Sequence, residues 1–217
     1  MSSKKLKVAV IGLGNIGAIV ATNLVKGNRS VIIADRKMEK TKKMGEQLGS
    51  LAQPLEISAA IKEADIIVLA IWFNAIKELL KTHNTDLQGK IIVDPSNPIA
   101  PDDKGGFKKI ISENESAGEI ISSLLPSKAK LAKALGTLSA ASLQNEAFNT
   151  PEQAVLFYAT DDTSINTAIE QLIHDSGFEP VRIGGIDQSI RIEVFGDLHE
   201  FGTLGKTVTK SEAAKKI

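Results

Sequence analysis

The stretch Val8-Ala9-Val10-Ile11-Gly12-Leu13-Gly14-Asn15-Ile16-Gly17 decides the fold of this 217-residue chain. It places a short apolar run directly before a GxGxxG pattern, and an amphipathic stretch follows. A second apolar run over residues 30–34 then ends at Asp35-Arg36. A strand, a glycine turn, a helix and a second strand in this order are typical of the βαβ unit that binds dinucleotides.

Each glycine of the pattern has a separate physical role. Gly12 permits the tight turn, Gly14 lets backbone amides approach a pyrophosphate, and Gly17 lets the helix pack closely on the strand. The start of the helix adds unpaired N–H groups and a partial positive charge. Asp35 lies eighteen positions after Gly17, where a charged residue contacts the adenosine ribose. We therefore predict that the chain binds NAD or NADP.

Composition excludes several classes of function. The chain has 26 basic and 26 acidic residues, so no net charge favours nucleic acid or a membrane surface. It contains no cysteine, which excludes disulfides, thiolate nucleophiles and sulfur-ligated metals, and no metal site is predicted. No apolar stretch has the length of a signal peptide or of a transmembrane helix. We expect a cytoplasmic protein that binds neither nucleic acid nor membranes.

Alternating apolar runs and amphipathic stretches predict an α/β fold. We expect a doubly wound Rossmann sheet, mostly parallel, with a small C-terminal α/β extension. The chain is interpreted as one domain over 1–217, with a core to about residue 150, a cap over about 151–205 and a solvated or frayed tail over 206–217. Residues 99–117 are expected to form a long loop with a short helix around Phe107–Ile111. A further helix is expected from about Asp187 to Leu204.

A second candidate site lies where three predicted strands end. Trp72 and Phe73 follow the apolar run 65–71, the turn Pro95–Pro98 stops the next strand, and the segment Gly136–Ala141 follows the strand 130–135. Ligands of doubly wound sheets bind outside the carboxyl ends of the strands. We predict an acceptor cleft here, closed by the loop 99–117. The alternatives are turn chemistry for the Asn-Pro pair within Pro95–Pro98, and packing of Trp72 and Phe73 beneath the loop.

The choice between NAD and NADP depends on a few charged residues after the second strand. Asp35 would bind a ribose 2′-hydroxyl and repel a 2′-phosphate, which favours NAD. Arg36, Lys37 and Lys40 would instead clamp that phosphate. A solvated helix face accounts for the lysines at 42–43 but not for Arg36, which follows the strand directly. We predict NADP(H), with NAD as the alternative.

No residue is predicted to be a catalytic acid or base. His83, His174 and His199 are scattered over predicted helices and helix ends, and each is interpreted as a surface or capping histidine. Lys133 is interpreted as an amphipathic lysine at a strand edge, with substrate contact as the alternative. Hydride transfer between nicotinamide and a flavin or deazaflavin ring depends on stacking and orientation more than on a proton donor. This chemistry fits a site without an acid.

An ordered set of short motifs resembles one family over about residues 6–205. The family is the small NADP oxidoreductases related to coenzyme-F420-dependent NADP reductase, whose fold also resembles the N-terminal domain of pyrroline-5-carboxylate reductase. The motifs are Gly14–Gly17, Asp35-Arg36, Asp94–Pro98, Ser116–Pro126, Lys133–Thr137, and Gly184-Gly185 with Arg191 and Glu193.

The resemblance implies a homodimer in which NADPH lies along the strand ends and a flavin-like or deazaflavin acceptor stacks over the nicotinamide. It places the pyrophosphate on Leu13–Ile16, the adenosine ribose among Asp35, Arg36 and Lys40, and the nicotinamide against Ile71 and Phe73. Asn97 and Ala140 would border the ring. With the glycine pattern, the cofactor residues are Gly12, Leu13, Gly14, Asn15, Ile16, Gly17, Asp35, Arg36, Lys40, Ile71, Phe73, Asn97 and Ala140. The candidates for the substrate pocket are Trp72, Pro98, Gly136 and Thr137.

Four positions depart from the family. Relatives commonly have Ser or Asn in place of Asp35 and proline in place of Trp72, and many have Asn in place of Gly136 and a bulkier aromatic residue in place of Leu135. The predicted function is an NADP(H)-dependent oxidoreductase that transfers hydride between nicotinamide and a flavin-like, deazaflavin or other small electron acceptor. The alternatives are an imine or ketone reductase related to pyrroline-5-carboxylate reductase and a non-catalytic NAD(P) redox sensor.

Overall fold

The computed structural model describes residues 5–217, in which strands and helices alternate. The strands are β1 (Val8–Ile11), β2 (Val31–Ala34), β3 (Ala52–Pro54), β4 (Ile66–Leu69), β5 (Ile91–Asp94), β6 (Ile99–Pro101), β7 (Phe107–Lys109), β8 (Lys130–Lys133), β9 (Val155–Ala159) and β10 (Glu179–Gly184). The helices are α1 (Asn15–Lys26), α2 (Met38–Leu48), α3 (Ile57–Glu63), α4 (Phe73–Thr82), α5 (Ala117–Ser123), α6 (Ala140–Asn145), α7 (Asn166–Asp175) and α8 (Lys210–Ala213).

Eight of these strands form one sheet, in the order β10-β9-β8-β5-β4-β1-β2-β3. Every neighbouring pair is parallel except β8 and β9, which pair antiparallel. The chain crosses over between β1 and β4, at the point where a doubly wound sheet opens its ligand crevice. The predicted Rossmann fold with a mostly parallel sheet is confirmed. The C-terminal strands β9 and β10 extend this sheet rather than forming a second one.

Two apolar layers cover the central strands, because their residues alternate between the faces of the sheet. Val8 and Val10 face one layer with Leu24 of α1, while Ala9 and Ile11 face the other layer, which contains α3, α4 and α5. Strands buried on both faces explain the unbroken apolar runs in the sequence. Within residues 5–217, no helix is both long and apolar enough to cross a lipid bilayer.

The predicted helix around Phe107–Ile111 is wrong. Residues Phe107–Lys109 form β7, which pairs antiparallel with β6. One oxygen of the Asp102 side chain accepts hydrogen bonds from the amides of Lys104 (2.8 Å) and Gly106 (2.7 Å). These bonds turn the chain back on itself, so the loop that follows β5 contains a hairpin.

The predictions for the last thirty residues are also wrong in part. A 3-10 helix over Ile186–Ile192 gives way to successive turns instead of a helix that reaches Leu204. Gly202 packs directly against the backbone of Gly196. In a continuous helix these two glycines would lie too far apart for this contact. The tail is not frayed, because Val208 and Ala213 are buried and the Val155 amide donates to the Val208 carbonyl at 2.8 Å.

Candidate functional site

The glycine turn between β1 and α1 has the geometry that its sequence predicts. Gly12 has a φ of +92°, and a Cβ there would lie 2.5 Å from the Ala70 carbonyl oxygen. A Cβ on Gly17 would overlap the Gly12 carbonyl, so both glycines are required by the fold itself. A Cβ on Gly14, the residue that precedes α1, would meet nothing within 4 Å. Gly14 therefore leaves an open cradle at the start of a helix, and a pyrophosphate fits it.

Asp35 is bonded to the protein in a way that the sequence did not predict. Its Oδ2 accepts a hydrogen bond from the Leu13 amide (2.9 Å), and its Oδ1 accepts one from the Lys37 amide (3.2 Å). Partial burial raises the pKa of Asp35, but these two amides and the charges of Lys40 and Arg36 outweigh burial and hold the pKa below its ordinary value. An ionised Asp35 thus links the glycine turn to the start of α2.

Two cations lie beside Asp35. The Lys40 ammonium is 3.7 Å from Asp35 Oδ2, and the lysine side chain remains about half exposed. Arg36 is exposed, and within residues 5–217 its guanidinium forms no hydrogen bond or ion pair. Arg36 follows β2 and Lys40 lies in the first turn of α2, and a guanidinium and an ammonium are the groups that bind phosphates.

An open cleft of about 660 Å³ lies above the glycine turn, between α1 and α6. Five of the predicted cofactor residues line it, together with four residues that were not predicted to bind the cofactor. The predicted residues are Leu13, Gly14, Asn15, Lys40 and Ala140, and the others are Ala18, Ile19, Ala141 and Gln144. The sequence signal for this wall was Ser139, whose side chain caps α6 by accepting the Ser142 amide. Of the remaining turn residues, Ile16 packs against the apolar layer on the α1 side.

Residues 71–73, where β4 leads into α4, have different environments. Trp72 is 61% exposed, whereas Phe73 is 2% exposed and belongs to the apolar layer beneath α4. Ile71 is partly exposed, and its side chain lies against Gly12. At this strand end the structure leaves Trp72 and Ile71 accessible to a ligand and places the Phe73 ring in the core.

The ends of β5 and β8 are joined through Asn97. Its Nδ2 donates to the Gly136 carbonyl (3.2 Å), and its Oδ1 accepts from the Val194 amide (2.7 Å). A Cβ on Gly136 would lie 2.9 Å from the Pro95 carbonyl carbon, so this position has no room for a side chain. Two other predicted pocket residues, Pro98 and Thr137, are buried. The side chain of Asn97 therefore stabilises the turn.

A buried ionic cluster lies directly below this turn. Asp94 and Lys133 end β5 and β8 and are register partners, and the Lys133 ammonium lies 2.7 Å from Asp94 Oδ2 and 3.7 Å from Glu193 Oε1. The Lys133 ammonium also donates to the Ser96 carbonyl. The Lys133 side chain is 3% exposed, so its interpretation as a strand-edge lysine is wrong.

Glu193 connects this cluster to α5. Its two carboxylate oxygens accept the amides of Ala117 and Gly118, each at 2.9 Å. Burial raises the pKa of Glu193 above its ordinary value, against the opposing effect of Lys133 and the two amides. The cluster, here called the Asp94–Lys133–Glu193 cluster, thus links β5, β8, α5 and the C-terminal segment.

The three histidines do not share one environment. His83 follows α4 as its C-terminal cap, and His174 is exposed on the last turn of α7, as predicted. His199 is 1% exposed, so its assignment to the surface is wrong. Its Nδ1 accepts the Phe201 amide (3.0 Å), and its Nε2 lies 3.1 Å from the Gly136 carbonyl. Burial lowers the pKa of His199 to about 4, so the imidazole is neutral near pH 7.

Comparison with known proteins agrees with the resemblance that the motifs indicated. Residues 7–98 match the model of the family described as NADP oxidoreductase coenzyme F420-dependent. The chain is 26% identical over 187 residues to the metalloreductase STEAP3 of Rattus norvegicus, covering 86% of this chain and 36% of that protein. It is 24% identical to the F420-dependent NADP reductase of Methanocaldococcus jannaschii, covering 89% and 90% of the two chains. The chain thus spans about a third of the first relative and most of the second.

Solved structures support the same fold. A hypothetical protein from Sinorhizobium meliloti superposes with a TM-score of 0.82 and 26% identity, covering 94% of this chain and 96% of that one. A pyrroline-5-carboxylate reductase from Coxiella burnetii superposes with a TM-score of 0.65 and 13% identity, covering 87% and 63%. The second likeness concerns the fold alone. The predicted resemblance to F420-dependent NADP reductases is confirmed, and the resemblance to pyrroline-5-carboxylate reductase is confirmed for the fold.

Proposed function

We propose that the chain is an NADP(H)-dependent oxidoreductase, because residues 7–98 match the model of the family described as NADP oxidoreductase coenzyme F420-dependent. We propose further that it transfers hydride between the nicotinamide and a flavin-like or deazaflavin acceptor. The nicotinamide, when bound, supplies or receives the hydride. The chain's own residues bind and orient the two partners.

The observation that carries the cofactor assignment is the bonding of Asp35. Both of its oxygens accept backbone amides, and Lys40 lies beside it. The carboxylate therefore orders the glycine turn, and its negative charge is offset by its neighbours. Arg36 remains available for a 2′-phosphate, which supports NADP(H) over NAD(H). Titration of the protein with NADPH and NADH tests this assignment, and tighter binding of NADH would contradict it.

The acceptor site is proposed at the carboxyl ends of β4, β5 and β8. These strands are parallel neighbours, so Trp72, Asn97 and Gly136 follow them at the same edge of the sheet. An exposed indole offers an apolar face on which a planar ring can stack. The nearby Lys133 is engaged with carboxylates and His199 is neutral, so orientation rather than proton donation would carry catalysis.

A turnover screen tests the proposed reaction. NADPH and NADH are each combined with coenzyme F420, FMN, FAD and a set of small ketones and cyclic imines, and absorbance of the reduced nicotinamide is followed. We expect oxidation of NADPH with a flavin or deazaflavin. Turnover with imines or ketones alone would favour a carbonyl or imine reductase, and cofactor binding without any turnover would favour a redox sensor.

Trp72 provides a residue-level test of the acceptor site. Trp72→Ala removes the stacking surface, so kcat/KM for the acceptor should fall by roughly tenfold, the scale of one aromatic stacking contact. The dissociation constant of NADPH should stay unchanged. Trp72→Phe keeps an aromatic face and should retain most of the activity. If KM and kcat for the acceptor are the same in Trp72→Ala as in the wild type, Trp72 does not belong to the acceptor site.

The quaternary structure is a further proposal, based on the family resemblance. We propose a homodimer. Multi-angle light scattering on the purified full chain measures the mass directly. A mass of one chain, 23.2 kDa, across the working concentration range would refute it.

A further inference from the structure

We propose that Gln144 also binds the dinucleotide and donates its side-chain amide to the diphosphate from the wall opposite the glycine turn. This inference rests on the proposed function and deepens it. The glycine turn and the start of α1 hold one side of a diphosphate only. In this structure the other side of the cleft is formed by α6, and it presents Ala140, Ala141 and Gln144.

The placement of Gln144 follows from helix geometry. Ala140 and Gln144 are one turn apart, so they lie on the same face of α6, and both line the cleft. The small side chain of Ala140 lets a ligand approach the helix closely. Gln144 is exposed, and within the described residues its carboxamide has no hydrogen-bond partner. A carboxamide offers two N–H donors, which suit phosphate oxygens without adding charge.

The wall that carries Gln144 is held rigidly. Glu200 accepts hydrogen bonds from the Ser139 amide and the Ser142 hydroxyl, each at 2.6 Å, and thereby fixes the start of α6. The buried Asn23 of α1 donates to the Leu143 carbonyl at 2.8 Å. Leu143 itself is 1% exposed and anchors the helix in the core. The backbone that carries Gln144 is therefore held in place before binding, so ordering of the helix adds nothing to the entropy that the Gln144 side chain loses.

The neighbouring residue supplies a matched control. Asn145 is exposed on the same helix but does not line the cleft. Gln144→Glu and Asn145→Asp each replace a carboxamide by a carboxylate, so they change the net charge of the protein equally. Only the first carboxylate would face the diphosphate. Dissociation constants for NADPH and NADH are measured by calorimetry, and melting temperatures establish that each variant is folded.

We expect Gln144→Ala to lower the affinity for both NADPH and NADH by roughly tenfold. Gln144→Glu should lower both affinities by roughly 100-fold, which is within the range for hydrogen bonds to charged groups. The two cofactors should lose the same factor, because the diphosphate is common to both. Asn145→Asp should bind like the wild type. Equal affinity in Gln144→Glu and the wild type, or an equal loss in Asn145→Asp, would overturn the inference alone. A wild-type protein that binds neither cofactor would overturn the proposed function as well.

Discussion

Replacing Lys133 by methionine removes the only cation of the Asp94–Lys133–Glu193 cluster while keeping an unbranched side chain of similar length. The side chains of Lys133, Asp94 and Glu193 are 3%, 0% and 2% exposed, respectively. Loss of one partner from a buried ion pair destabilises a protein by about 3–5 kcal/mol, because the remaining charge is left buried and unpaired. Glu193 keeps its two amide donors and Asp94 keeps the Ser96 amide at 2.8 Å. We therefore expect a loss of about 4 kcal/mol in the free energy of unfolding, within this range.

Urea denaturation at pH 7 measures this loss as a shift of the midpoint multiplied by the slope. The matched control is Lys130→Met on the same strand. Lys130 pairs with Asp162 at 3.0 Å, but the two side chains are 35% and 39% exposed. A partly exposed pair contributes only about 0–1 kcal/mol. The two lysines thus separate the effect of burial from the effect of removing a cation.

A second substitution determines whether the lost stability comes from an uncompensated charge. Asp94→Asn should destabilise the wild type, because the new amide group faces the Lys133 ammonium. In the Lys133→Met background the same change neutralises a buried carboxylate and should restore part of the stability, so the sign of its effect reverses. A loss in Lys133→Met no larger than in Lys130→Met, or the same sign of Asp94→Asn in both backgrounds, would refute this reasoning.

Three further predictions concern the dinucleotide site and the buried histidine. Gly14→Val should nearly abolish NADPH binding in calorimetry, because the branched side chain would occupy the cradle. It should not lower the melting temperature, because the cradle is open and φ at Gly14 is −69°. Gly17→Val should instead fail to fold, because a Cβ there overlaps the Gly12 carbonyl. Arg36→Ala should weaken the binding of NADPH by roughly 1.5–3 kcal/mol and leave the binding of NADH nearly unchanged in fluorescence titrations. An equal loss of affinity for both cofactors would contradict a phosphate contact. His199 binds a proton near pH 6.5 when unfolded but only near pH 4 when folded, so acid favours the unfolded chain in this window. Relative to His199→Gln, the free energy of unfolding of the wild type should fall by roughly 3 kcal/mol between pH 7 and pH 4. Curves of stability against pH that run parallel for the two proteins would contradict this.

The strand, glycine turn and helix at the start of the chain were predictable because their causes are local. The positive φ of Gly12 and the close approach at Gly17 are requirements of one turn, and they act within a few residues. The family motifs likewise predicted the fold and the reductase relatives, and both are confirmed. The apolar periodicity that predicted a helix to Leu204 failed, since the chain forms successive turns there, which bury Leu198 and leave Phe201 59% exposed.

Only the tertiary structure decided which chemically similar residues are buried. Trp72 and Phe73 are adjacent aromatic residues, yet one is exposed and the other lies in the core, because α4 begins between them. Asp94, Lys133 and Glu193 belong to three separate motifs of the sequence, and nothing in those motifs indicates that the three side chains meet. Their cluster depends on the register of β5 against β8 and on where the chain returns almost 100 residues after Asp94. The burial of a side chain and the pairing of its charge depend on residues distant in sequence, whereas a glycine turn is determined by its own backbone.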